Sequence, residues 1–152
     1  MYIYRHITDR DVELICNHRE RMFLEAGHAQ ERLTVMTRHY RPWLEVQLSA
    51  SSYFGYVALE GDLAIGSVGW MMIDWPPHPL HPEQPRRGYV LNLFVEPTHR
   101  GKGVGGELMS HVDAEFQAQG IQYSILHSTA SARGMYEKFG WSGTSEMART
   151  YA

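Results

Sequence analysis

Cysteine is almost missing from this sequence. Its 152 residues include one, Cys16, so no disulfide can close within the chain, which fits a reducing cytoplasm. Also missing is any stretch approaching the roughly 20 consecutive apolar residues of a membrane helix, and no secretory leader is recognisable. An excess of positive charge is absent too: 14 Lys and Arg stand against 17 Asp and Glu, a net charge of −3. Nucleic-acid binding needs a concentrated basic surface, so DNA and RNA are set aside as partners. There is no internal repeat and no low-complexity tail. Histidine is plentiful, nine in all, but scattered, and the neighbouring His78 and His81 lack a convincing third ligand, so no metal site is expected. What remains is an ordinary globular composition, 43% hydrophobic and 20% charged, sized for a single domain over residues 1–152.

The information is concentrated between residues 89 and 120. Residues 89–95 carry one polar side chain, Asn92, and read as a strand buried on both faces. Pro97 closes the strand. Gly101, Gly103, Gly105 and Gly106 follow, and then Val104, Leu108, Met109, Val112 and Phe116 recur at helical spacing until Gly120 stops the helix. A strand, a glycine-rich loop and a helix together aim backbone N–H groups at an anion, with the positive end of the helix dipole behind them. Arg100 and Lys102 add formal charge. The segment therefore reads as a phosphate cradle. Gly101, Gly103 and Gly106 satisfy G-x-G-x-x-G, but that dinucleotide fingerprint belongs to a first strand with an acidic residue about 20 positions on. No Asp or Glu lies between Gly120 and Arg133, and too little chain follows for a doubly wound domain. A P-loop needs Ser or Thr after its lysine, where this chain has Gly103.

The segment resembles the GNAT superfamily of N-acetyltransferases. The acyl-CoA loop of that family runs Arg/Gln-x-x-Gly-x-Gly/Ala, matched in register by Arg100, Gly103 and Gly105; a second signature, Tyr-x-x-x-Gly-aromatic, is matched by Tyr136, Gly140 and Trp141. The resemblance implies transfer of an acetyl group from acetyl-CoA to a small-molecule or peptide amine acceptor. It implies that Arg100, Gly101, Lys102, Gly103, Val104, Gly105 and Gly106 hold the pyrophosphate, and that the pantetheine arm lies along Leu93, Phe94 and Val95, where a main-chain N–H polarises the acetyl carbonyl. Thr129 and Arg133 complete the expected cofactor contacts, with Thr129 standing where the family most often has Asn. Tyr136 matches the tyrosine that hydrogen-bonds the CoA sulfur and protonates the leaving thiolate. A departure concerns the general base: family members with a strand-borne base carry Glu or His at positions corresponding to Tyr89 or Leu91, and this chain has neither there. The amine's proton must then go to water, or to the proline-rich loop or last strand, for example to Glu146. A non-catalytic acyl-CoA-binding module on the same fold is the alternative reading.

Elsewhere, residues 1–7 read as a strand, and Thr8 with Asp11 forms a capping box for a helix stopped by Gly27. A second helix over residues 30–48 contains Pro42, expected to kink or split it. Strands 53–59 and 63–73 meet at a hairpin around Gly61. Residues 74–88 hold five prolines and form a stiff excursion carrying Trp75, His78 and His81, read as a wall of the acceptor pocket or a contact with a second copy of the chain. Residues 121–126 read as a strand, residues after Thr129 as a short helix, and residues 142–150 as a final strand. The element order implies an α/β (α+β) GNAT fold: a mixed, mostly antiparallel sheet with a splayed parallel pair at its centre and helices on both faces.

Overall fold

The computed structural model describes residues 1–151; Ala152, the last residue of the expected domain, lies outside the described residues. Five strands form one sheet in chain order: β1 (Tyr2–His6), β2 (Phe54–Glu60), β3 (Leu63–Asp74), β4 (Arg86–Val95) and β5 (Ser124–Leu126). Neighbours are antiparallel except β4 and β5, which are parallel. Four helices flank the sheet: α1 (Val12–Glu25), α2 (Gln30–Ser49), α3 (Val104–Ala118) and α4 (Arg133–Lys138). The mixed, mostly antiparallel sheet with one parallel pair and flanking helices is the one implied by the sequence, but that pair lies at one end of the sheet and not at its centre, because no strand from residues 142–150 pairs beyond β5.

Two apolar clusters fasten the helices to opposite faces. Val104, Leu108, Met109, Val112 and Phe116 of α3, all five positions of the periodic stripe, pack with Val90, Ile65 and Tyr136. On the other face Ile15 and Cys16 of α1 meet Tyr40 and Leu44 of α2, with Leu91 against them. Val90 and Leu91 are consecutive, so strand alternation sends one to each core. Local chemistry sets the boundaries. Thr8 Oγ1 accepts from the Arg10 amide at 3.2 Å and Asp11 Oδ2 accepts from the Thr8 amide at 2.7 Å, the reciprocal cap that the sequence spelled out. The β2–β3 turn is tight: Glu60 faces Leu63, and Gly61 adopts φ 60°.

Several expectations are corrected. Pro42 does not split α2, which runs as one helix from Gln30 to Ser49. Arg38, whose carbonyl loses its donor, is exposed, so water can satisfy it. Strand β4 starts at Arg86, not Tyr89, because Arg86 and Arg87 still pair with Asp74 and Ile73. Strand β5 is only Ser124–Leu126. Residues 142–150 form no strand and are exposed throughout; apart from Ala148 their single apolar side chain is Met147, 92% exposed, and a segment without an apolar face has nothing to bury against a sheet. The proline-rich excursion packs its own side chains against the start of β4 and braces it. There the Arg87 guanidinium lies 3.9 Å from the Trp75 ring centroid and 4.7 Å from that of Tyr123. His81 is completely buried: its Nε2 accepts from Arg87 Nε at 2.9 Å, so Nδ1 carries the hydrogen given to Gln84 O at 2.8 Å.

Candidate active site

Beyond Val95, one 3₁₀ turn (Pro97–His99) leads into the glycine loop. Gly101 and Gly103 have φ of 75° and 85°. A Cβ at either would meet nothing within 4 Å, so the requirement is for backbone torsion and not for room. Gly103 caps α3 without any side-chain acceptor, and the first helical bond runs from Glu107 N to Gly103 O at 3.0 Å. Among the described residues, the amides from Lys102 to Gly106 donate to no protein acceptor. Consecutive free N–H groups at the positive end of a 15-residue helix make an anion site out of main chain. Gly106 serves packing instead. A Cβ there would lie 2.9 Å from Phe139, so its absence lets α4 close against the first turn of α3.

The charges around the loop are less free than the sequence suggested. Arg100 Nε donates to Val95 O at 2.8 Å, and Nη2 reaches both oxygens of Glu25 at 3.0 and 2.8 Å. It ties the end of β4 to the end of α1. Lys102 is exposed and makes no ion pair among the described residues.

Beside the loop, β4 has an open edge. Its pairing with β5 covers Gly88, Tyr89 and Val90 and ends there, so from Leu91 through Leu93, Phe94 and Val95 the β5-facing edge has no strand partner among the described residues. On the β3 side the register slips by one residue between Ser67–Phe94 and Gly69–Leu91, which is a β-bulge, and Asn92 sits in it with φ 61°. The Asn92 amide is fully used: Nδ2 donates to the Tyr40 and Tyr53 hydroxyls, both at 2.8 Å, and Oδ1 accepts from Arg19 Nη1 at 2.7 Å. Asn92 thus pins the bulge to α1 and α2. Arg19 lies over the rings of Tyr40 and Phe23 and has no carboxylate partner among the described residues.

Tyr136 projects from α4 into the cluster that contains Val104 and Leu108, with Trp141 edge-on at 6.5 Å. It is 8% exposed, and burial pushes its phenol up to about 12. Its hydroxyl makes no hydrogen bond to the described residues and is not sealed from solvent. The structure thus brings Tyr136, the glycine loop and the open edge together. Thr129 is half-buried with its hydroxyl 3.3 Å from that of Ser131. Arg133 stays on its own helix, its Nε 2.9 Å from Glu137 Oε1, and in this arrangement does not reach the loop.

Two groupings escaped the sequence reading. His18 of α1 is 1% exposed, its Nδ1 2.6 Å from Ser67 Oγ and its ring 4.7 Å from Phe94; burial lowers its pKa to about 4. Tyr89 of β4 lies with its hydroxyl 3.5 Å from His127 Nδ1, and His127 Nε2 lies 2.9 Å from Glu146 Oε2. The helical period placed His18 off the apolar stripe, and nothing local linked Tyr89, His127 and Glu146. A depression of about 350 Å³ lined by Thr8, Leu48, Tyr53 and Gly55 contains none of these groups.

The sequence matches the acetyltransferase (GNAT) family over residues 13–141. No curated protein is similar enough in sequence to match. Among solved structures the chain is similar to a GCN5-related N-acetyltransferase from Ralstonia eutropha JMP134, at 44% identity over 99% of both chains with a TM-score of 0.98. It is also similar to a predicted acetyltransferase from Clostridium acetobutylicum solved with acetyl-CoA: 24% identity, 99% of this chain and 96% of that one, TM-score 0.84. An aminoglycoside N-acetyltransferase solved with CoA shares 15% identity over 100% of this chain and 95% of its own, TM-score 0.70. The last two show the fold.

Proposed function

The chain belongs to the GNAT acetyltransferase family, and on that footing we propose that it moves an acetyl group from acetyl-CoA directly to an amine within a ternary complex. The observation that carries this reading is the run of unsatisfied amides from Lys102 to Gly106 beside the unpaired edge of β4. The amides fit a pyrophosphate, and the edge fits an extended amide-bearing arm that adds to a sheet as a strand would. Both features are main-chain, so they suit a donor whose recognised parts are phosphate and peptide-like.

The donor substrate supplies an activated thioester. The chain supplies position and electrostatics. Leu93, Phe94 and Val95 present the open edge at which an N–H can stabilise the oxyanion. Tyr136 is assigned to the departing sulfur. Cysteine-type thiols ionise near 8.5, whereas this phenol has been pushed to about 12. It therefore steadies the thiolate as a hydrogen-bond donor throughout the neutral range before any proton is passed. The acceptor is a small-molecule or peptide amine. Incubation with acetyl-CoA and an amine panel, reading free thiol, tests the proposal: turnover with at least one amine is expected. Acetyl-CoA binding without turnover on any amine would instead leave an acyl-CoA-binding module.

A further inference from the structure

We infer that the acceptor amine loses its proton through the Tyr89 hydroxyl to His127, with Glu146 as the positioning residue that holds the imidazole. This rests on the acyl-transfer reading and supplies the base that the strand lacks. The hydrogen-bond roles follow from chemistry. Glu146 as a carboxylate can only accept, so His127 Nε2 carries the hydrogen across the 2.9 Å contact. Neutral imidazole then has its lone pair on Nδ1, facing the Tyr89 hydroxyl across 3.5 Å. That hydroxyl gives its hydrogen to Nδ1 and leaves its own oxygen lone pairs for an incoming ammonium. The contact is long and shortens when the hydroxyl is drawn between amine and imidazole.

The fold places these groups where the two strands part. Tyr89 is opposite Ile125, and the last rung is Val90 with Leu126; His127 is the first residue past β5. The His127 and Glu146 side chains are 61% and 53% exposed, so a proton collected on the imidazole can pass to water. Three other candidates beside β4 are engaged elsewhere. His81 is buried and accepts from Arg87. His18 is buried against Ser67. Glu96 receives Arg21 through both oxygens at 2.7 Å. The charged and titratable groups facing the relay are Glu146 from the C-terminal segment, Tyr89 from β4, whose phenol burial pushes up, and Arg19 from α1, whose charge works against that rise. Arg19 has no carboxylate partner among the described residues, so its charge opposes an ammonium at Tyr89 and favours release of its proton. The step balances. The ammonium gives one proton to Tyr89 as Tyr89 gives its own to His127 Nδ1. The neutral amine then forms the C–N bond as the C–S bond breaks. The second amine proton neutralises the thiolate, and His127 returns its proton to solvent.

The test is kcat/KM against pH for the unmodified protein, Tyr89→Phe, His127→Gln and Glu146→Gln, using an amine found active, with acetyl-CoA affinity measured by calorimetry. The unmodified protein should show an acid-side inflection. His127→Gln should erase it and lower kcat/KM by about 10²-fold, leaving a rate that climbs toward the amine's own ionisation, about 10.4 for a Lys-like amine. Tyr89→Phe should do the same, and Glu146→Gln, which leaves the imidazole unheld, should weaken the inflection with a smaller loss. Acetyl-CoA affinity should be unchanged in all three. Profiles that superimpose on the unmodified one overturn the relay, as does a lower rate with an unmoved inflection, which would mark a merely structural role. Absence of transfer to every amine in the unmodified protein is a separate outcome: it removes the acyl-transfer reading, and the relay falls with it.

Discussion

The two ends of the open edge of β4 are built from different materials. Where β4 runs out into the loop, the functional groups are amides on consecutive residues, Lys102 to Gly106, and the side chains matter mainly by their absence. At Tyr89 the groups are side chains 38 residues apart in one pair and 19 in the next. A site made of main chain must force its conformation locally, so it writes a spacing of glycines into the sequence. A site made of side chains needs only that the fold deliver them, and it leaves no local trace. The same contrast separates what can be destroyed by one substitution from what can only be weakened.

The largest effect is therefore expected at the main-chain end. Gly103→Asp puts a non-glycine residue at φ 85° and a carboxylate among amides that attract anions, so acetyl-CoA binding should be lost altogether. Calorimetry on the folded variant checks it; retained affinity would mean that the loop is a turn and nothing more.

Two histidines sharpen the contrast further. His127 is exposed at the edge, while His18 is buried behind Phe94 with a pKa lowered from 6.5 to about 4. Unfolding restores the ordinary value, so the unfolded chain binds the proton more readily. Stability is full above pH 6.5, declines as pH falls toward 4, and levels off below. A shift of that size corresponds to about 3 kcal/mol across the window. Urea denaturation of the unmodified protein and His18→Gln between about pH 4 and 7 measures it; equal slopes would show that His18 is not the group responsible.

Tyr136 stands between the two kinds of site, a side chain found through a local signature. Tyr136→Phe keeps the ring packed beside Trp141 and should lower kcat by about 10²-fold while leaving acetyl-CoA affinity and thermal stability nearly unchanged. A turnover number equal to that of the unmodified protein would return the ring to a packing role.

Legibility in the sequence followed the same division. The stripe of α3, the Thr8–Asp11 cap, the Gly61 turn and the glycine loop were all readable, because each depends on residues within a turn or two of one another. The bulge at Asn92 was half-readable: the lone polar residue was evident, but its partners Tyr40, Tyr53 and Arg19 come from other parts of the chain. The buried roles of His18, His81 and Arg87 were not readable, since burial of a polar group depends on a partner supplied from elsewhere. The expected last strand failed because residues 142–150 offer no alternating apolar face; the segment instead contributes the Glu146 carboxylate to His127.

The smallest effect is expected at Glu25, and it tests whether side chains matter at all at the main-chain end. Arg100 is held by Val95 O and by both oxygens of Glu25, with the two side chains each 45% exposed. To face an anion over the Lys102–Gly106 amides, the guanidinium has to turn from that carboxylate. An exposed pair of this kind contributes roughly 0.2–1 kcal/mol, so releasing it changes an affinity by about fivefold at most. Glu25→Gln should accordingly tighten acetyl-CoA binding by a factor of about 2 to 5 at low ionic strength. The gain should shrink as salt screens both the old pair and the new one. An affinity that stays the same at low salt would mean that Arg100 keeps its bond to Glu25 when the site is filled. The cradle would then work by backbone alone.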